Sequence, residues 1–377
     1  MNPYVFIVGC ARSGTKLLRK ITDAHPRIAI PRETNWIPKP FEGRQGVTPD
    51  GLVTPELVSW LLSCEKFTRM RIGQDELEGL VAGEEPVSYS TFVSGVFDLY
   101  GKGQGKRLVG DKTPSYLRHI PTLHALWPQA KFVHLIRDGR DVCLSILNWK
   151  RGERVAGRFA TWSEDPVSIT ALWWKWNVML GREDGAPLGP DLYHEVHYEA
   201  LVSEPANECK TLCDFLNLPY DEGMLRFHER LPDPRFYDGK QMKWRPIVTG
   251  LRDWKAEMPA EDLERFEAAA GDLLEELLYP QGVPDPPQEK LEEATRIHHA
   301  FTQEVRTQIT RVEPLSLLAM LVLEEDLEHL CADRTSIMPS FQMSGEVKVV
   351  IALDRCPISF TQRSEVFVPW LCRLPRG

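Results

Sequence analysis

The chain has 377 residues, of which 42% are hydrophobic and 26% are charged, and this composition is ordinary for a folded protein. The 11 Trp and 15 Phe residues argue against widespread disorder. The formal net charge of −9 excludes a generally basic surface for nucleic acid or an anionic membrane, so an anionic ligand requires a local basic pocket.

The amino terminus and the cysteines bear on the cellular compartment. The sequence begins MNPYVFIVG, with no basic segment before the first glycine, and we expect no secretory signal. The longest apolar run, residues 315–323, is too short to span a bilayer. The 8 cysteines include no Cys-x-x-Cys pair, which indicates reduced thiols and no structural zinc. We therefore expect a cytoplasmic protein that requires no metal.

Strands alternate with helices in the first part of the chain. Residues 4–8 are typical of a buried strand that leads through a glycine-containing turn into a helix. Residues 131–136 are typical of a second strand, with a helix that begins near Asp138, and LYHEVHYEAL predicts a third. This alternation predicts an α/β fold, in which a P-loop-like three-layer arrangement has a mostly parallel central sheet flanked by helices.

Two stretches depart from this pattern. Residues 37–105 show helical segments rather than strands, and we interpret them as a mainly helical insertion near the acceptor site. A proline-rich stretch at residues 283–290 indicates a boundary. We therefore divide the chain into a domain of residues 1–282 and a C-terminal extension of residues 283–377. The extension is expected to be an α/β or irregular appendage, and we assign it no chemistry.

The first turn, IVGCARSGTKLL, has the features of a phosphate-binding loop. A glycine turn that opens into a helix directs backbone N–H groups and the positive end of the helix dipole toward one point. Gly9 and Gly14 have the spacing of the Walker pattern GxxxxGK[ST], but Thr15 and Lys16 reverse the order of its last two residues. In a kinase that lysine reaches the terminal phosphates and the hydroxyl holds magnesium, so the reversal argues against a kinase.

Three motifs in this order resemble the sulfotransferase superfamily: RSGT after the first strand, RDGRDVCLS after the second, and VHYEALVSEP at the third. The longer run RSGTKLLRKITDAHPRIAIPRETNWIP is most similar to protein-tyrosine sulfotransferases and their bacterial relatives. The resemblance covers about residues 4–280 discontinuously. It implies an enzyme that moves a sulfuryl group from 3′-phosphoadenosine 5′-phosphosulfate (PAPS) to a hydroxyl of a tyrosyl, sugar or small-molecule acceptor.

The resemblance also implies which residues bind the donor. The first loop would hold the 5′-phosphosulfate end, and a strand-end arginine with a helix serine would grip the 3′-phosphate. A tyrosine of the third motif would lie near the nucleotide, and the segment KWRPIVTGLRDWKAEMP resembles the basic loop that closes over it. These roles fall in turn on Arg12, Ser13, Gly14, Thr15 and Lys16, on Arg137 and Ser145, on Tyr198, and on Arg252, with Lys243, Arg245 and Lys255 as further candidates.

Three residues carry the expected chemistry. Glu33 resembles the family's general base, which takes the proton from the attacking hydroxyl. Lys112, in GDKTPSYL, resembles a lysine that contacts the transferring group, and Arg12 can stabilise charge on the leaving group.

Purely structural interpretations of these residues stay open. Glu33 could form a surface ion pair with Arg32, in which case His119 or His134 would be the alternative base. Lys112 could instead cap the adjacent carboxylate of Asp111, and Arg137 could form a salt bridge with Asp138 or Asp141.

We expect a small-molecule or peptide acceptor with a hydroxyl, no nucleic-acid partner and no membrane span, and we leave a homodimer open. Two other classes of function compete with sulfuryl transfer. One is a P-loop nucleotide-dependent kinase, and the other is a non-catalytic module that keeps the nucleotide fold. The acceptor cannot be identified from any motif in residues 37–105.

Overall fold

The computed structural model describes residues 4–149, 152, 156, 159–229, 246–248, 250 and 252–311. The chain divides into two compact units, Met1–Glu304 and Val305–Gly377. Apart from the last residues of the final helix, the features below belong to the first unit. No helix in the described ranges is both long and apolar enough to cross a membrane. The division at residue 283 stays a prediction, and beyond residue 311 the C-terminal extension lies outside the described residues.

A parallel sheet forms the centre of the first unit. Within the described residues it has five strands in the order β2-β3-β1-β4-β5, and each neighbouring pair is parallel. The strands are β1 Val5–Gly9, β2 Ile28–Ala29, β3 Leu108–Lys112, β4 Lys131–Ile136 and β5 Tyr193–His197. The predicted parallel α/β fold is confirmed, together with the three predicted strands, whereas sequence analysis did not list β2 and β3.

Helices connect the strands and cover the sheet. They are α1 Thr15–Ala24, α2 Pro38–Gly43, α3 Pro55–Ser63, α4 Glu65–Thr68, α5 Gln74–Gly79, α6 Tyr89–Gln104, α7 Ile120–Leu126, α8 Gly139–Leu147, α9 Pro166–Gly185, α10 Tyr198–Ser203, α11 Pro205–Phe215, α12 Trp254–Glu257, α13 Ala260–Glu276 and α14 Gln288–Arg311. Residues 37–105 contain α2 to α6, with only isolated β-bridges among their described residues, as the helical pattern predicts.

Both faces of the sheet are buried. Successive side chains of a strand point to opposite faces, so Phe6 and Ile7 show the packing on the two sides. On one face Ile7 of β1 belongs to the same hydrophobic cluster as Leu18 of α1. On the other face Phe6 stacks on Phe132 of β4, with ring centroids 5.6 Å apart, and lies 6.0 Å from the ring of Trp127. Burial on both faces explains why β1 is a continuous apolar run and why β4 is mostly apolar, apart from Lys131 and His134, rather than alternating.

Candidate active site

Two strand-to-helix corners lie side by side at one edge of the sheet. β1 pairs with β4 in a register that sets Gly9 opposite Leu135, and α1 and α8 begin just beyond the two strand ends. From β1 the chain continues to β2 and β3 on one side of the sheet and then crosses to β4 on the other side. Ligands of open α/β sheets bind at such a switch point, so the topology places the predicted phosphate loop at the expected crevice.

The first corner is a tight loop held by its own backbone and by a tyrosine ring. Gly14 has φ 101° and Arg12 has φ 76°, which is the left-handed region. A Cβ at Gly14 would lie 2.6 Å from Cδ2 of Tyr198, so the tyrosine ring occupies the space that a larger residue would need. The backbone N–H of Ser13 donates to Cys10 O at 3.2 Å. Tyr198, expected near the nucleotide, thus lies directly against the phosphate loop.

A hydrogen bond joins the two corners. Arg12 Nε donates to Ser145 Oγ at 3.0 Å, across 133 residues of sequence, and the guanidinium of Arg12 lies 4.9 Å from the centroid of the Trp149 ring. Ser145 is buried on α8. Sequence analysis paired Ser145 with Arg137, whereas the structure brings its hydroxyl to Arg12.

The buried guanidinium of Arg137 is fixed at the second corner. Its Nη2 donates to Asp141 Oδ2 at 2.9 Å, and its carbon Cζ lies 4.3 Å from the centroid of the Tyr198 ring. Its Nε is buried and has no hydrogen-bond partner among the described residues, and the same is true of Ser13 Oγ at the first corner. Two unsatisfied donors at adjacent corners indicate a site built for an acceptor-rich ligand.

Positive charge accumulates around these corners. The pKa of Arg12 is lowered, first by partial desolvation and then by the charges of Arg252 and Arg137. Along α1, burial and the charges of Lys16 and Arg19 lower the pKa of Lys20 to about 8. Cations that depress one another's pKa in this way repel each other, and a bound anion relieves that repulsion.

Arg140 organises the back of the second corner. Its fully buried guanidinium donates to Asp138 Oδ2 at 2.7 Å and also pairs with Glu267 of α13. It stacks on the ring of Trp254 at 3.6 Å. The backbone N–H of Trp254 donates to Asp141 Oδ1 at 3.0 Å, which connects α12 to α8. These contacts hold the segment that carries Arg252.

The last segment of the predicted donor site is only partly described. Lys243 and Arg245 lie outside the described residues. Arg252 is half-buried, and its Nη1 lies 3.5 Å from Glu257 Oε2. Lys255 faces the Trp254 ring at 5.7 Å.

Glu33 lies between two lysines on the other side of the site. Its Oε2 is 3.4 Å from Lys112 Nζ and its Oε1 is 2.7 Å from Lys66 Nζ. Burial is the largest single influence and raises the pKa of Glu33, but the two lysines outweigh it, and the pKa is lowered overall. A carboxylate held ionised in this way can accept a proton from a bound hydroxyl.

Lys112 contacts Glu33, and the neighbouring carboxylate of Asp111 has other partners. Asp111 is buried and accepts hydrogen bonds from the hydroxyls of Thr34 and Thr113, the second at 2.7 Å. Burial raises the pKa of Asp111 to about 6. The side-chain hydrogen bond of Lys112 is thus made to Glu33, while the charges of Lys112 and Asp111 still interact.

The two alternative bases have other partners. His119 Nδ1 lies 2.6 Å from Glu42 Oε1. His134 is fully buried and hydrogen bonded to the hydroxyl of Tyr193 at 2.6 Å, and burial lowers its pKa to about 3. In the described part of the chain these contacts hold both histidines to other residues than Glu33.

Sequence analysis missed two residues of this site. Lys66 lies in the insertion, 33 residues from Glu33, and no motif marks it. Trp149 lies just beyond the end of α8, and its closeness in sequence to Ser145 could have shown that it shares this corner. Asp141 is the salt-bridge partner that the structural interpretation of Arg137 offers, and the structure forms that ion pair.

The sulfotransferase family model matches residues 3–222, which include both corners, Glu33 and Lys112. The chain belongs to the sulfotransferase family. Among its curated relatives, protein-tyrosine sulfotransferase A of Caenorhabditis elegans is 28% identical over 232 residues, which is 61% of this chain and 53% of that protein. Protein-tyrosine sulfotransferase 1 of Danio rerio is 27% identical and is matched over 74% of this chain and 72% of its own length.

A solved structure supports the fold of this sulfotransferase family member. The sulfotransferase domain from the curacin biosynthetic pathway superposes with a TM-score of 0.51 over 74% of this chain and 99% of that domain, at 20% identity. In the described residues no group of three or more His, Cys, Asp or Glu side chains could hold a metal ion.

The expectation of a cytoplasmic protein is wrong. The relatives reported above are named protein-tyrosine sulfotransferases, and a chain of that kind contradicts a cytoplasmic assignment. The composition of the first residues does not determine the compartment.

Proposed function

We propose that this protein is a sulfotransferase that takes the sulfuryl group of PAPS and transfers it to an acceptor hydroxyl, with a tyrosyl peptide as the first acceptor to test. The hydrogen bond from Arg12 to Ser145 carries this proposal, because it joins two anion-binding corners into one cradle. The relatives named as protein-tyrosine sulfotransferases support a peptide acceptor.

The chemistry of PAPS fits the residues present. The donor has two separate anionic ends, and the cradle has one basic corner for each. Arg137 Nε and Ser13 Oγ are buried hydrogen-bond donors that lack partners among the described residues, and such groups are costly unless a ligand satisfies them. Arg137 and Arg252 lie close enough to Arg12 to lower its pKa. The three guanidinium groups together would hold the donor's negative charge.

In the proposed reaction, Glu33, Lys112 and Arg12 would act on the acceptor hydroxyl, the sulfuryl group and the leaving phosphate. The donor supplies a sulfuryl group, whose bond to phosphate oxygen breaks with its electron pair left on the phosphate while the acceptor oxygen bonds to sulfur. Glu33 would take the proton of the acceptor hydroxyl. Lys112, held on β3 beside Glu33, would stabilise the charged oxygens of the transferring group, and Arg12 would stabilise the leaving phosphate.

The geometry supports a kinase less well. The acids that follow β4 are engaged by arginines, since Asp138 pairs with Arg140 and Asp141 pairs with Arg137. Magnesium in P-loop kinases is held by an acid of this kind and by the hydroxyl after the loop lysine. Here Thr15 precedes Lys16, so neither group has the required order.

Binding and turnover together test the proposal. By isothermal titration calorimetry we expect tight binding of adenosine 3′,5′-bisphosphate without magnesium and weak binding of ATP with magnesium. Radiolabelled PAPS incubated with a tyrosyl peptide, a sugar and a phenol should label at least one acceptor. Tighter binding of ATP with magnesium would overturn the proposal in favour of a kinase. Bisphosphate binding without any turnover would favour the non-catalytic module.

A further inference from the structure

Both oxygens of the candidate base are occupied by lysines. Lys112 Nζ lies 3.4 Å from Glu33 Oε2, and Lys66 Nζ lies 2.7 Å from Glu33 Oε1. A general base must accept a proton from the acceptor hydroxyl at hydrogen-bond distance. An acceptor hydroxyl must therefore approach an oxygen that already accepts from a lysine, and it gains room there when that lysine moves away.

The two lysines differ in how firmly they are held. The side chain of Lys112 is only 7% exposed and belongs to β3, inside the sheet. The side chain of Lys66 is 39% exposed and belongs to α4, a helix of four residues in the insertion. Glu33 itself is 40% exposed on that side. Because an exposed ion pair is worth little in water, Lys66 is the partner that an incoming hydroxyl displaces.

We propose that Lys66 is a positioning residue for the base: its ion pair with Oε1 keeps the Glu33 carboxylate aligned until an acceptor hydroxyl takes its place. This inference rests on the proposed function, in which Glu33 is the base. Lys112 keeps its contact with Oε2 throughout, so the carboxylate stays oriented toward the transferring group while Oε1 changes partner.

The charges around Glu33 agree with this role. The groups that face it are Lys112 from β3 and Lys66 from α4, and buried Asp111 lies beneath Lys112. The two lysines lower the pKa of Glu33, whereas burial raises it. Removal of Lys66 must therefore raise the pKa of Glu33 and reduce its ionised fraction in mildly acidic solution.

A titration of the protein without donor tests the electrostatic part. Glutamate labelled with ¹³C at Cδ reports each carboxyl by NMR, and the Glu33 signal is identified by its loss in Glu33→Gln. We expect Lys66→Met to move the Glu33 midpoint to higher pH, and Lys66→Arg to keep it near that of the wild type. Lys102→Met removes the same charge from an exposed site on α6 and serves as the matched control. Equal midpoints in Lys66→Met and Lys102→Met would overturn the inference.

The pH profile of kcat/KM tests the catalytic part. In Lys66→Met the acid limb should move to higher pH in parallel with the NMR midpoint, so that the rate at its acid end falls about threefold while the plateau is kept. Affinity for adenosine 3′,5′-bisphosphate should not change. An unmoved acid limb overturns the role of Lys66. No turnover by the wild type with any acceptor would instead show that the proposed function has failed, whatever the NMR titration gives.

Discussion

The donor corners and the acceptor side of this site are built in different ways. Arg137 and Ser145 are buried and are held where a central strand meets its helix. The side chains of Glu33 and Lys66 are each about two-fifths exposed. Glu33 lies in the loop after β2, and Lys66 lies on α4, a four-residue helix of the insertion. If the proposed function holds, this division lets the acceptor side change without disturbing the sheet that carries the donor corners.

Loss of Arg12 should have the largest effect on the donor half. Arg12→Ala removes the guanidinium that bonds to Ser145 and that would stabilise the leaving phosphate, so kcat/KM should fall about 10⁴-fold. Initial rates with labelled PAPS measure this change. Arg296→Ala, whose side chain is 69% exposed, is the control for lost charge. A loss of less than about tenfold would place the donor clamp elsewhere.

Glu33→Gln should reduce turnover without changing donor binding, which would show that the two halves of the site act separately. The amide keeps the shape of the carboxylate but cannot take the proton, so kcat should fall about 10³-fold while the Kd for adenosine 3′,5′-bisphosphate stays unchanged. Steady-state rates and calorimetry measure the two quantities. Glu65→Gln, on the exposed start of α4, should leave both quantities at their wild-type values. Near-normal rates in Glu33→Gln would mean that another group is the base.

Ser145→Ala should affect only the donor half, and more weakly. It removes the acceptor that holds Arg12 Nε, and we expect the Kd for the bisphosphate to rise about tenfold. Exposed Ser203 supplies a control substitution to alanine. If acceptor KM changes in Ser145→Ala while bisphosphate binding does not, the comparison between the two halves is wrong.

The smallest predicted effect concerns the pH dependence of stability. It comes from Asp111, a buried carboxyl next to Lys112 in the sequence. Burial raises its pKa to about 6 in the folded protein, above the ordinary value of 3.8. Between these two values the folded state binds more protons than the unfolded state, so stability falls as pH rises. From about pH 5 to about pH 7 the free energy of unfolding should drop by about 1 kcal/mol more than in Asp111→Asn. Urea unfolding measures it, and parallel pH dependence in both proteins would contradict the prediction.

Sequence patterns predicted the donor half better than the acceptor half. The strand β1 is apolar throughout and β4 mostly so, because both faces of the sheet are covered, and this pattern predicts strands at residues 4–8 and 131–136. The strand β3 reads LVGDK, and its two charged residues conceal a buried strand. With two residues, β2 is too short for any periodicity to show.

Contacts between distant segments account for what sequence could not show. Motifs marked Arg12 and Ser145 separately, but their hydrogen bond spans 133 residues and depends on strand order. The pairing of Glu33 with Lys112 depends on the position of β3 next to β2 in the same way. Lys66 carries no local signal, because its role depends entirely on which carboxylate the insertion brings near it.

The central place of β1 has a consequence for synthesis of the chain. Among the described strands, β1 is translated before both of its neighbours, β3 and β4, which start only at Leu108 and Lys131. Until both have emerged, the nascent chain exposes an apolar segment with unpaired edges, which makes it a target for chaperones. The two strand-to-helix corners can therefore come together only after β4 has been made.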